Sequence, residues 1–456
     1  MPKEILRAFP AILLFVVYIG ISGAYSQNQQ ANPCYGSENQ YKFTEVDSYR
    51  NYLAKVAAAN ATLLDKKYRQ QYSKIIDEKN DELVKQLNDN GFLFDDQLYP
   101  YLQAILNHIL EKNNLDKSNY HFFVDRTSDV NAYSFEDGTI VCDLGLLSIL
   151  QNESQVAMVF CHELGHALLN HVNISITRQL EKVNSPAFLA RVRQIKRQEY
   201  NTKKQLEDLM MSNVFDKTRH SRSQEKAADS LGMILFSHTA YNGRNISLVF
   251  DILDSSAFKS RVCTIKDFFK KEKFNTDDDW FKPAKKMSFG GAITAETSDS
   301  LKTHPDCAQR KVVMRAYFDA HPKYGADFIT VTAEKFEKIR QIALFDEAAY
   351  ARQHKDMGYY LYLLIQDDAR YPSDNCVKTE IFDTLVDLCK HQKAHDINTI
   401  VRSPYITSND YDEYPKLLQV LDRLNLKALS AITITYYNNN KSLINASAEA
   451  INNLNK

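Results

Sequence analysis

The chain has 456 residues, enough for two or three domains with a sizeable core. Its 56 Lys and Arg are offset by 57 Asp and Glu, leaving a net charge of −1. That balance excludes binding driven by a basic surface, and we expect no nucleic-acid partner. Thirteen Gly and eleven Pro are few for this length, and with long charged, apolar-periodic runs they predict a mainly helical protein.

Residues 1–26 read as a secretory signal. Lys3 and Arg7 form a positive start, Ala11 to Gly20 an apolar stretch, and Ala24-Tyr25-Ser26 a small-residue cleavage site. The apolar stretch is short for a membrane span, and no other stretch is apolar enough. We therefore expect an exported, periplasmic or secreted chain with no transmembrane segment when mature, whether or not it associates with a membrane.

An N-terminal helical region is expected over residues 27–118. Its charged helical pattern runs from Phe43 to about Asn90, and a second amphipathic helix covers Leu98 to Leu110. The period then changes. Tyr120 to Val124 predicts a strand. Asn131 to Phe135 and Thr139 to Cys142 predict two more, joined by a turn at Asp137-Gly138. The edge of such a sheet can pair with an extended peptide.

The next stretch, Phe160-Cys161-His162-Glu163-Leu164-Gly165-His166, carries H-E-x-x-H. Histidines four apart share one helix face, so both imidazoles can reach one metal ion. Glu163 lies beside the first, positioned to take a proton from water. Val156, Ala157, Val159, Leu164 and Ala167 make the helix mostly apolar, and His and Glu buried there need partners. His171 follows His166 by five residues, which on a continuous helix turns it away from the 162/166 face. It reads as a surface or outer-sphere histidine, and His220 and His238 as structural.

A charged helical insert is expected over 174–214, read as a solvated hairpin; a lid over the cleft is the sharper alternative. Beyond it, Glu225 and Asp229 share one face of a helix opened by the small residues Ala227 and Ala228. A catalytic zinc takes three protein ligands. Glu225 is the candidate third, and Asp229 the acceptor for a ligand imidazole's second nitrogen. A helical C-terminal domain is expected over 325–440, of tetratricopeptide type, although no clean repeat of about 34 residues is present. A polar tail spans 441–456. Of the seven cysteines, Cys142 and Cys161 read as buried thiols. Pairing of Cys263 with Cys307 and of Cys376 with Cys389 stays open.

With these motifs assembled, the chain resembles the gluzincin metalloproteases of the HtpX-like and CaaX prenyl protease type, in particular the soluble, exported BepA-like branch. The resemblance rests on His162-Glu163-Leu164-Gly165-His166 with Glu225 and Asp229. Asn131-Ala132, Gly145-Leu146-Leu147, and Thr303-His304-Pro305 with Arg310 add to it. It implies an α+β, mainly helical, zincin-type catalytic domain over 119–320, with a small sheet beside the H-E-x-x-H helix. It implies one Zn2+ per chain on His162, His166 and Glu225, and Glu163 as general base. Asn131 and His304 would hold the oxyanion with Arg310 in support, and His304 could latch over the metal. The expected activity is endopeptidase action on protein substrates, with a further protein partner docking on the C-terminal helices. Two other readings compete: a zinc-bearing chaperone or scaffold with latent proteolysis, and a structural metal-binding protein that can dispense with Glu163.

Overall fold

The computed structural model describes residues 43–197, 222–254, 262–276, 278–281, 307–402 and 413–445, with Thr202 and Gln205. The signal stretch 1–26, most of 198–221, the loop 288–300, the Thr303-His304-Pro305 turn and the end of the polar tail lie outside them. The fold is α+β and mainly helical, with one three-stranded sheet among the described residues. Two compact units divide the chain. The first holds Asn39–Leu253 and Ile293–Arg340, and the second holds Asp254–Ala292 and Gln341–Lys456. The division does not follow linear order, since 254–292 joins the C-terminal helices.

In the first unit, α1 (Val46–Leu63), α2 (Lys66–Asn88) and α3 (Leu98–Lys112) precede the sheet. The chain breaks between α1 and α2 at Asp65, whose carboxylate accepts from the Lys67 N–H and caps α2. Strands β1 (His121–Asp125), β2 (Ala132–Ser134) and β3 (Thr139–Asp143) follow. The order is β1-β3-β2. β1 pairs parallel to β3, with Phe123 opposite Val141, and β2 pairs antiparallel to it, with Tyr133 opposite Val141. Gly138, at φ +87°, makes the hairpin turn.

Both faces of the sheet are covered, which is why β3 is buried throughout rather than alternating. Phe123 and Val141 pack with Tyr49 and Leu53 of α1 and with Leu83 and Leu87 of α2. On the opposite face the Phe122 ring meets Phe160 at 5.1 Å. Lys79 of α2 fixes the hairpin turn, its Nζ 2.7 Å from both Glu136 and Asp137.

After the short α4 (Leu144–Leu147) comes α5 (Glu153–Leu168), which carries H-E-x-x-H. The Asn152 side chain accepts from the Gln155 N–H at 2.9 Å and starts the helix. Helices α6 (His171–Val183) and α7 (Pro186–Lys196) form the described part of the expected insert. α6 is not a solvated hairpin arm. Its Leu180 joins Ala61, Tyr68 and Tyr72 in a core, and Tyr72 donates to Asn173 at 2.5 Å. Helices α8 (Arg222–His238), α9 (Val249–Asp254) and α11 (Cys307–Ala320) lie further along the chain, with α10 (Ile265–Lys271) between α9 and α11.

The second unit includes α10. After α12 (Ala333–Gln353), which begins in the first unit, it holds α13 (Met357–Arg370), α14 (Asn375–Ala394), α15 (Glu413–Arg423) and α16 (Leu426–Asn440). α13 packs on α14 and α15, and α14 on α16. α16 is an additional helix: the sequence pattern predicts one helix from Tyr414 to Leu426 and a fraying Asn-rich run from Asn438. Leu429, Ile432, Thr433 and Tyr436 recur at helical spacing and are all buried.

The two open cysteine pairings do not form. Cys263 and Cys389 are free thiols, as are Cys142 and Cys161, and Cys376 is disulfide-bonded. Cys376 and Cys389 sit thirteen residues apart on α14, about 20 Å by helix rise, far beyond the roughly 7 Å that a disulfide spans between Cα atoms.

Candidate metal centre

α5 and α8 carry the candidate ligands and approach closely because both present glycine at the crossing. A Cβ at Gly165 would lie 2.8 Å from the Ala228 carbonyl oxygen, and one at Gly232 would lie 3.2 Å from the Cys161 carbonyl oxygen. Ala228 is fully buried between them.

That approach sets Glu225 against the two histidines. His162 Nε2 and His166 Nε2 are 3.0 Å apart. Glu225 Oε2 is 3.5 Å from His162 Nε2, and Glu225 Oε1 is 3.4 Å from His166 Nε2. All three side chains are buried. A tetrahedral ion with ligands at about 2.0–2.1 Å separates its donors by roughly 3.4 Å. Two imidazole nitrogens and a carboxylate at these spacings therefore fit zinc in both geometry and donor chemistry.

The surrounding groups fix the donors. Asp229 Oδ1 lies 2.9 Å from His162 Nδ1, so the nitrogen left over for a metal is Nε2. Arg310 of α11 grips Asp229 with two hydrogen bonds, Nε to Oδ2 at 2.7 Å and Nη2 to Oδ1 at 2.8 Å. Its Nη1 stands 2.9 Å from Glu225 Oε2. Burial favours the neutral Asp229 carboxyl, but the bonds from Arg310 and His162 outweigh it and hold the group at about 2. Burial and the Arg310 guanidinium disfavour the His162 imidazolium. The bonds to Asp229 and Glu225 outweigh both and raise it to about 9.

The structure thus brings together His162, His166, Glu225, Asp229 and Arg310. Glu163 is buried on the same helix, near enough to β3 to help raise the Cys142 thiol, after burial and Asp143. Asn131 is half-buried at the start of β2, its carbonyl accepting from the Asp143 N–H at 3.0 Å. β2, an edge strand, packs against α5. His304 lies outside the described residues.

The Arg310 guanidinium lies on the ligand side, paired with Asp229 and Glu225 and 3.3 Å from His162 Nε2. The continuous-helix geometry also fails for His171. α5 ends at Leu168, and Asn170 takes the left-handed conformation at φ 56°. His171 thereby begins a new helix, is buried, and sets its Nδ1 2.9 Å from His166 Nδ1. Sequence reasoning missed Gln224, whose Nε2 donates to the His171 carbonyl at 3.1 Å. The only signal for it was adjacency to Glu225.

Fold and donor set define a zincin-like domain. Residues 96–317 match the model of Peptidase family M48. The chain is 31% identical over 93 residues to the beta-barrel assembly-enhancing protease of Escherichia coli K12, covering 20% of this chain and 19% of that protein. A putative beta-barrel assembly-enhancing protease of Vibrio cholerae is 25% identical over 168 residues, 36% of this chain and 34% of that one. The mitochondrial metalloendopeptidase OMA1 of Arabidopsis thaliana is 32% identical over 126 residues, 27% and 24% of the two chains. The chain thus spans between a fifth and a third of the length of these relatives. Among the described residues no helix is long and apolar enough to cross a membrane.

Proposed function

We propose that this chain is an exported zinc-dependent endopeptidase acting on protein substrates in envelope quality control. The observation that carries the reading is the buried His162, His166 and Glu225 donor set beside Glu163 in a stretch that matches Peptidase family M48. The envelope role rests on the relatives named for beta-barrel assembly. Export rests on the signal-like residues 1–26, and the disulfide at Cys376 fits an oxidising compartment.

His162, His166 and Glu225 would hold the ion, which when bound supplies a Lewis acid that polarises a carbonyl and acidifies water. Asp229 holds the His162 proton on Nδ1, and Arg310 fixes Asp229 and Glu225 in direction. Glu163 takes the proton of the attacking water on a carboxylate oxygen, then delivers it to the leaving amine nitrogen. Asn131 and His304 are the residues proposed to hold the charge that develops on the carbonyl oxygen. The edge strand β2 receives the substrate as an added strand along α5, which orients the scissile bond. The C-terminal helices offer a docking face for substrate or partner.

The test is Glu163→Gln, assayed for zinc content and casein cleavage. The variant keeps the metal and loses cleavage, and wild-type cleavage is abolished by a chelator. Wild-type cleavage by Glu163→Gln removes the base assignment. Aggregation suppression without fragments from the wild type favours a chaperone instead.

A further inference from the structure

Two imidazoles of the candidate centre are backed by different chemistry. His162 leans on a carboxylate, Asp229. His166 leans on a second imidazole, His171, with 2.9 Å between their Nδ1 atoms. We propose that His171 is the positioning residue for His166, a neutral acceptor that holds the His166 proton on Nδ1 and so presents Nε2 to the metal. This rests on the zinc reading above.

The argument is one of atoms. His166 Nε2 faces His162 Nε2 and Glu225 Oε1 at 3.0 and 3.4 Å, so it is the nitrogen directed at the donor set. An imidazole that binds metal through Nε2 carries its proton on Nδ1. His171 Nδ1, 2.9 Å away, is placed to accept from that proton, offering its lone pair and carrying its own proton on Nε2.

Placement of His171 is built into the fold. Left-handed Asn170 ends the α5 segment and restarts the helix, swinging the ring back over His166 instead of away. Asn tolerates this conformation better than most residues. The main chain of His171 is then pinned from α8: Gln224, next to Glu225, donates to its carbonyl at 3.1 Å and to Ser175 Oγ at 3.3 Å. His171 thus spans the end of one ligand helix and the start of the other.

An imidazole acceptor differs from a carboxylate in adding no negative charge. Asp229 already balances Arg310, with ion-pair contacts at 2.7 Å.

The experiment compares His171→Asn with His171→Gln in the full chain. Asn places an acceptor oxygen where Nδ1 stands, whereas Gln places its polar atom near the Nε2 position. Zinc affinity is read by chelator competition at fixed pH, and the His166 ring by imidazole 15N shifts of zinc-loaded protein. Expected for Asn is affinity within about threefold of wild type, with His166 still protonated at Nδ1. Expected for Gln is a 10–100-fold loss, the range typical when a metal ligand loses its hydrogen-bond partner. Equal affinity in both variants, or a greater loss in Asn than in Gln, overturns the role of His171. Failure of the parent reading is separate: wild type then binds no stoichiometric zinc, or binds it unchanged in His162→Ala.

Discussion

Replacing Gly165 by Ala tests whether the metal centre depends on the helix crossing. The new Cβ would sit 2.8 Å from the Ala228 carbonyl oxygen, about 0.6 Å short of an ordinary 3.4 Å contact, and the obstacle is backbone that cannot rotate away. α5 and α8 must therefore separate by several tenths of an ångström. Overpacking of this kind costs about 1–3 kcal/mol. Ala in a helix interior returns about 1 kcal/mol relative to Gly. Net stability of the metal-free protein then falls by roughly 0–2 kcal/mol. The donor set is less forgiving. Glu225 stands 3.4–3.5 Å from the two Nε2 atoms across this crossing, and metal sites tolerate about 0.2 Å in ligand distance. Zinc affinity should fall at least about tenfold while the metal-free melting temperature moves by only a few degrees. Gly232→Ala, where the close contacts are 3.2 Å, should show a smaller loss. Chelator competition and calorimetry on the two variants make the measurement. Wild-type zinc affinity in Gly165→Ala, or a larger loss in Gly232→Ala, would refute the reasoning.

Two further outcomes follow from charge. Lys79→Met leaves the Glu136 and Asp137 carboxylates buried without their cation; breaking such a pair costs about 3–5 kcal/mol, visible as a lower urea midpoint, and an unchanged midpoint contradicts the clamp. In metal-free protein His162 is raised from its ordinary value to about 9. Its interactions stabilise the fold below about pH 6.5 and are lost as pH rises through 9. A metal ligand must be neutral, so zinc binding near pH 7.5 should release about one proton. Titration calorimetry in buffers of different ionisation enthalpy reads that number, and zero release would mean that His162 is already neutral.

What the sequence made legible was local or periodic. His162 and His166 share a face because four residues nearly complete a helical turn, and Gly138 marks the hairpin because the turn needs positive φ. Other features depended on signals that were weak or absent. Asn170 breaks the helix with neither Gly nor Pro, so His171 was placed on the wrong continuation. α16 is rich in Thr, Ile and Asn, residues that favour strands or turns, and only burial of Leu429, Ile432 and Tyr436 makes it a helix. The pairing of Lys79 with the β2–β3 turn spans 57 residues, and nothing in the local pattern of either segment announces it.

Arg310 illustrates how far the site reaches beyond its motif. It lies 148 residues from His162 and 81 from Asp229, yet its guanidinium joins Asp229, Glu225 and the edge of His162. The H-E-x-x-H helix alone places two donors. Without the Arg310 cation, Asp229 and Glu225 would be two buried carboxylates facing the same imidazole with no guanidinium between them. The arginine on α11 therefore offsets the charge of the candidate third ligand, and the candidate donor set is complete only once α5, α8 and α11 have packed together. Metal affinity and the folding of the first unit are coupled for that reason, each drawing on the same long-range contacts.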